Sequence, residues 1–175
     1  MPRPKKTIAQ LETMREQILD TALAILQKTG PETISSRAIA EYMGIAHMSL
    51  YTYFENQAAI LRALRDREMS KWRARQQLIA QRAENEDVAL VVKELLEFFI
   101  TFARDNPNLY RLEWVLPEVS GLNPEESRQR MMTTVGQLAH ILKMGMESGL
   151  FETRDPFLTA GTVLAMVNTP FILFH

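Results

Sequence analysis

The stretch Ser35-Ser36-Arg37-Ala38-Ile39-Ala40-Glu41-Tyr42-Met43-Gly44-Ile45-Ala46-His47-Met48-Ser49-Leu50-Tyr51-Thr52-Tyr53-Phe54 decides how this chain is read. Ser35 suits the cap of a short helix from Ser36 to about Met43, because its hydroxyl can accept from N–H groups that a first helical turn leaves over. Gly44 stops that helix, since glycine takes the left-handed turn at no steric cost. A second short helix is predicted from about His47 to Tyr53. Two short helices meeting across a tight turn need a small residue at the contact, a glycine in the turn and apolar residues joining them. Ala40, Gly44 and the set Ile39, Met43, Ile45 and Leu50 meet those needs. The layout is that of a helix-turn-helix, whose second helix fits the major groove of a duplex. An ordinary helical hairpin has the same ingredients. The aromatics Tyr51, Tyr53 and Phe54 favour the first reading, because so short a helix cannot readily bury all three. Phe54 is expected to turn inward, leaving a tyrosine hydroxyl for a phosphate oxygen.

Outward from this stretch the periodicity is helical nearly throughout, with no strand-like alternation of useful length. Leu11, Met14, Ile18, Ala22, Ile25 and Leu26 form one apolar stripe on a helix from about Ala9 to Lys28, stopped by Gly30-Pro31. Asn56 is placed to cap a long helix reaching about Arg82. The acids at 84–87 open a helix to about Arg104, and Asn106-Pro107 opens one to about Leu116. Asn123-Pro124-Glu125-Glu126 reads as a cap, a proline at the first helical position and a glutamate at the third. It opens a helix to about Ser148. Asp155-Pro156 opens the last, running nearly to His175.

Composition narrows the class. The 175 residues are 46% hydrophobic, enough for a proper core, and carry no cysteine, which removes disulfide frameworks and cysteine-based zinc sites. Net charge is -1, but it is unevenly spread. Residues 1–82 hold 13 basic against 8 acidic side chains, and residues 83–175 hold 7 against 13. Opposite signs in the two halves suggest that only the first meets a polyanion, although two solvated surfaces would look the same. The basic start Met1-Pro2-Arg3-Pro4-Lys5-Lys6 is followed by no apolar run, so a cytoplasmic location is expected.

Two runs in the quoted stretch, Ile39-Ala40-Glu41-Tyr42-Met43-Gly44-Ile45 and Leu50-Tyr51-Thr52-Tyr53-Phe54, resemble the signature of the tetracycline-repressor (TetR) family of transcriptional regulators. The preceding helix ending at Gly30, and Ile60-Leu61 in the next, match as well. The close resemblance runs from about Ile18 to Leu61. It implies an all-α fold: a three-helix DNA-binding head over residues 1–56, with a basic arm at 1–8, and a helical-bundle body over 57–175 for ligand binding and dimerisation. Three positions depart from the family pattern. Ala46 stands where serine or threonine usually caps the third helix, Met48 where a small residue is usual, and Gln57 where a lysine often holds a phosphate.

The resemblance implies the division of labour on DNA. Ser35, Ser36, Tyr51, Tyr53 and Gln57 are expected to position phosphates, and Arg37 to hold a phosphate or read a guanine edge. Ala46, His47, Met48 and Ser49 face the groove, with His47 bonding a base edge and Met48 packing on a thymine methyl. Arg3, Lys5 and Lys6 lie along the backbone, in the minor groove, or free in solvent. The basic run Arg62, Arg65, Arg67, Lys71, Arg73 and Arg75 winds round its helix among Asp66 and Glu68, and is expected to be a solvated or ion-paired face.

The body is expected to pair and to sense. No charge occurs from Phe157 to Phe174, and a helix apolar all round must be buried on several sides. Thr159, Thr162, Asn168, Thr169 and Pro170 argue against a membrane span, and the resemblance places the last two long helices in a homodimer interface. Gly136 and Gly145 would allow helices to approach closely. A two-fold dimer implies a roughly palindromic operator. Met69, Trp72, Phe98, Phe99, Phe102, Tyr110, Trp114, Met131 and Met132 are expected to wall a pocket for a small apolar or aromatic effector, although plain core packing explains them too. Tyr110, Glu113 and His140 would add polar recognition.

Other classes fit less well. His47, His140 and His175 lie far apart without the i, i+3 glutamate partners of a bundle metal site, and no phosphate-cradling glycine loop or nucleophile motif occurs. No catalytic residue, metal or cofactor is expected. The expected function is a sequence-specific DNA-binding regulator, a repressor released from its operator by the effector. The rival is a DNA-binding regulator or nucleoid-associated protein with no small effector.

Overall fold

The computed structural model describes residues 7–173, and every regular element in it is a helix. The arm residues Arg3, Lys5 and Lys6, like Phe174 and His175, lie outside the described residues. The chain packs as two units, 1–68 with 108–122 and 69–107 with 123–175.

The first unit begins with α1 (Ile8–Thr29), opened by a reciprocal cap between Thr7 and Gln10. Ile18, Leu19, Ala22 and Leu26 are its buried stripe. Ser35 caps α2 (Ser36–Tyr42), its hydroxyl accepting from the Ala38 N–H at 3.1 Å. Gly44 takes the turn at φ +66°, and Ile45 N–H closes it onto Ala40 C=O at 3.0 Å. The recognition element follows as a six-residue 3-10 turn, His47–Thr52, rather than the predicted α-helix. Ala46 gives it no side-chain cap. A segment so short and uncapped closes its hydrogen bonds at the tighter spacing.

Asn56 opens α3 (Gln57–Gln81), accepting from Ala59 N–H at 2.9 Å. The first three turns of α3 belong to this unit and bury Ile60, Leu61 and Leu64, as the helix-turn-helix buries Ile39, Leu50 and Phe54. Segment 108–122 also packs here. It carries the end of α5 (Pro107–Tyr110), a π-helical turn Arg111–Val115 in place of the predicted continuous helix, and a 3-10 turn Pro117–Ser120. Asn108 Nδ2 donates to Gln27 C=O at 3.1 Å, and Arg111 pairs with Glu32.

Arg65, expected on a solvated or ion-paired face, is instead fully buried, at 0% exposure. It donates to the Ser120 hydroxyl and to Asp66 at 3.0 Å, and its Nε lies 3.4 Å from Glu113. Arg62 donates to Gly121 C=O. Arg67 reaches across to Glu16 and Asp20, both at 2.8 Å, and to Glu68. Arg62, Arg65 and Arg67 are therefore the mortar of this unit, while Lys71, Arg73 and Arg75 are exposed on the second.

The second unit holds the rest of α3, α4 (Val88–Asp105), α6 (Pro124–Glu147) and α7 (Pro156–Leu173). Asp87, the last of the acids at 84–87, caps α4. Asn123 and Glu126 cap α6 reciprocally, with Pro124 at its first position, as the sequence predicts. One core joins Ile79, Ala83, Val91, Leu95 and Ile141, and another joins Val135, Leu138, Ala139, Leu142 and Ala160. Gly145 does not bring two helices together. It makes room for the Phe151 ring, which a Cβ there would meet at 2.4 Å, while a Cβ on Gly136 would meet nothing within 4 Å. Helix α7 has 18 residues of mean hydropathy 1.5, long and apolar enough to cross a membrane, and little of it is buried within one chain.

Candidate nucleic-acid interface

The recognition turn sorts its side chains by direction. Leu50 and Phe54 point into the head core, while Ala46, Met48, Ser49, Tyr51 and Thr52 are exposed. Met48 is 72% exposed, so it does not pack within the head and stands free to meet a thymine methyl. Arg37, in the first turn of α2, is exposed as well.

Tyr53 requires a correction. It is 7% exposed and packs in the core, because the inward Leu50–Phe54 edge of the turn carries it along. Its carbonyl accepts from Arg15 of α1, whose guanidinium lies 4.0 Å from the Phe54 ring centre. The phosphate role expected of Tyr53 is therefore withdrawn. Arg15, which the sequence reading missed, fixes the end of the recognition turn onto α1.

Gln57 is also reassigned. Its amide nitrogen donates to Ile34 C=O at 2.9 Å, and its amide oxygen accepts from Ser36 N–H at 3.2 Å. Both ends of the side chain are engaged on the backbone that leads into α2. Gln57 clamps that entry, where a lysine would extend outward.

Ser36, His47 and Tyr51 come together. Ser36 is buried, and its hydroxyl sits 2.9 Å from His47 Nε2. The Tyr51 hydroxyl lies 3.4 Å from the same nitrogen and 3.5 Å from Ser36 Oγ. The two rings meet edge to face, with centres 5.3 Å apart. His47 is thus half-buried and internally bonded at one nitrogen, not freely projecting. Ser35 is half-buried at its cap, and Ser49 is open.

The residues expected to wall an effector pocket fall in both units. In the second unit Trp72 stacks on Phe98 at 5.7 Å and meets Phe99 at 6.1 Å and Phe102 at 5.7 Å. Met69 is buried in that unit, whereas Met131 and Met132 are exposed. Tyr110 and Trp114 belong to the first unit, as a pair with ring centres 5.1 Å apart. Burial pushes the Tyr110 phenol up to about 12, so it stays neutral. Glu113 faces Arg65 within the head unit. The space bounded by Trp72, Leu95, Phe99, Leu138, Ile141 and Leu164 is about 20 Å³, room for a single water. His140 lies on a separate open groove with Gln77, Gln81 and Gln137. Among the described residues no three histidine or acidic side chains gather as a metal site would require.

With this geometry in place, similarity to known proteins is informative. Residues 18–64 match the model of bacterial regulatory proteins of the tetR family, which takes in α1 from its buried stripe, the helix-turn-helix and the start of α3. Tetracycline repressor protein class C of Escherichia coli is 40% identical over 50 residues, which are 29% of this chain and 23% of that protein. Nucleoid occlusion factor SlmA of Haemophilus ducreyi is 26% identical over 110 residues, 62% of this chain and 52% of that protein. The chain therefore spans about half or less of the curated relatives' lengths. The crystal structure of FadR from Bacillus subtilis in complex with stearoyl-CoA superposes with a TM-score of 0.69 at 19% identity, covering 90% of this chain and 84% of that one. That likeness speaks for the fold: a helix-turn-helix head with a helical body. The signature runs, the exposed recognition turn and the family match converge on residues 18–64, and over them the chain is similar to the tetR family of bacterial regulatory proteins.

Proposed function

We propose that this chain is a sequence-specific DNA-binding transcriptional regulator. Residues 1–56 form its DNA-binding domain, and residues 57–175 its dimerisation and ligand-binding domain. The single observation that carries the reading is the division of the recognition turn: Leu50, Tyr53 and Phe54 hold it to the core, while Met48, Ser49 and Tyr51 are left outside. A turn anchored on one edge and open on the other is what insertion into a major groove requires. Tyr51 and Ser35 position phosphates, Arg37 and Ser49 add polar contacts, and Met48 and His47 meet base edges. The arm with Lys5 and Lys6 adds charge near the backbone.

The protein works in the cytoplasm as a homodimer, joined through α6 and α7, on a palindromic operator. The mostly uncovered apolar length of α7 in the single chain supports this pairing. Its default action is repression, relieved by an apolar or aromatic effector. The Trp72–Phe98–Phe99–Phe102 cluster supports that class of ligand, as does the acyl ligand of the similar FadR structure. In the state described the adjoining space is water-sized, so an effector must displace aromatic side chains to enter. Binding would favour the state in which they have moved. The SlmA likeness favours a second reading, a nucleoid-associated DNA binder without an effector. A ligand screen separates the two: the regulator gains thermal stability with an apolar compound that weakens operator binding, and the rival shows neither change.

Tyr51→Phe tests the interface directly. It removes one phosphate-facing hydroxyl and leaves the ring edge in place. Affinity should fall about tenfold on operator and on unrelated DNA alike, since a phosphate contact carries no sequence information. Fluorescence anisotropy on both duplexes reads this. A fall on the operator alone would give Tyr51 a base-reading role instead.

A further inference from the structure

We propose that the Ser36 hydroxyl fixes the tautomer of His47, holding the imidazole with its proton on Nδ1 so that it offers a base edge a donor and never an acceptor. The inference rests on the DNA-binding reading given above and deepens it to the base that His47 selects.

Hydrogen bookkeeping leads there. Ser36 is buried, and its backbone N–H is already taken by Gln57. Its hydroxyl proton needs an acceptor, because a buried polar hydrogen without one is costly. Two acceptor atoms lie near it: His47 Nε2 at 2.9 Å and the Tyr51 oxygen at 3.5 Å. The first distance is that of an ordinary hydrogen bond, and the second is at the limit. The proton therefore goes to Nε2. A neutral imidazole carries one N–H, so an accepting Nε2 places that hydrogen on Nδ1. In histidine generally, the bond made by one ring nitrogen sets the state of the other. No described residue bonds His47 Nδ1.

The same bookkeeping frees Tyr51. With the Nε2 lone pair used by Ser36, the tyrosine hydroxyl 3.4 Å away is not required as its donor. Its proton can turn to a phosphate, while the edge-to-face contact at 5.3 Å keeps its ring in place. Three side chains thus divide the work: Ser36 orients His47, Tyr51 holds the backbone and His47 reads.

A fixed donor selects an acceptor. In the major groove guanine presents two acceptors, N7 and O6, where cytosine presents an amino donor. The base opposite His47 in each half-site is therefore one that presents an acceptor (guanine N7 or O6, adenine N7 or thymine O4), preferred over cytosine by roughly fivefold to tenfold for one neutral hydrogen bond gained and one donor clash avoided.

The test uses the full chain. Imidazole 15N–1H correlation spectra of the DNA-free protein at neutral pH, with His47 assigned by its loss in His47→Ala, should show the Nδ1–H pattern. Ser36→Ala should return the proton toward Nε2. On DNA, Ser36→Ala and His47→Ala should each lose the discrimination against cytosine at one base position per half-site while keeping salt-dependent binding to unrelated duplex. His47→Ala leaves Ser35, Ser36 and Gln57 in place, so it keeps the test sound if Ser36→Ala disturbs α2. An Nε2–H pattern in the unaltered protein overturns the tautomer. A base preference unchanged in both variants overturns the reading role. A chain that binds no DNA overturns the function proposed above, and the DNA-free spectrum still decides the tautomer.

Discussion

Arg65→Ala should lower the free energy of unfolding by about 3–5 kcal/mol, the cost of breaking a buried ion pair from one side. Arg65 is wholly enclosed, and the Glu113 side chain opposite it is 6% exposed. Removing the guanidinium takes a cation from beside that enclosed carboxylate, and leaves the Ser120 hydroxyl without its donor. It also cuts one of the ties between α3 and segment 108–122, another being Arg62 to Gly121. Urea unfolding followed by far-ultraviolet circular dichroism measures the loss. The double replacement Arg65→Met with Glu113→Leu should recover most of it, because it exchanges a paired charge for apolar volume and leaves only the half-exposed Asp66 of that cluster charged. A single-variant loss under about 1 kcal/mol would mean that the arginine is solvated, since exposed pairs contribute no more than that.

The second large effect concerns α7. Leu158 and Met166, two turns apart on one face, are 70% and 71% exposed in a single chain. If that face pairs with its copy, Leu158→Asp with Met166→Asp places carboxylates in an apolar seam, where an unpaired charge is expensive. The variant should sediment as a monomer with an unchanged helical spectrum. Its operator affinity should fall by about 10²–10⁴, because two half-sites then bind separately rather than as one linked pair. Weak binding to a half-site should persist, since the head is untouched. A variant that stays dimeric, or binds the operator at full strength, would remove α7 from the interface.

What the sequence discloses here follows the range of the force concerned. Caps and stops depend on neighbours three or four residues away. Ser35, Asn56, the Asn123–Glu126 pair and the turn at Gly44 were therefore legible and stand where expected. The inward course of Phe54 follows from how little a short helix can bury, whereas Tyr53 is carried inward with the Leu50–Phe54 edge, which a motif alone does not reveal. Gln57, Arg15 and Arg65 were misread or missed because their partners are 21 to 55 residues distant in the chain. Long polar side chains look solvated in a sequence until packing supplies a partner. Aromatic residues at helical spacing announce burial without saying beside what. Tyr110 and Trp114 went to one unit, and Trp72 with its phenylalanines to the other.

Selection of bound duplexes from a random DNA pool, followed by titration of the winner against salt, tests most directly whether the open edge of the recognition turn reads a groove. The expected winner is a two-fold symmetric site whose affinity drops by roughly 10³-fold or more between 50 and 200 mM salt, as several neutralised phosphates require. A pool that emerges without an enriched sequence, or binding that ignores salt, would contradict the account.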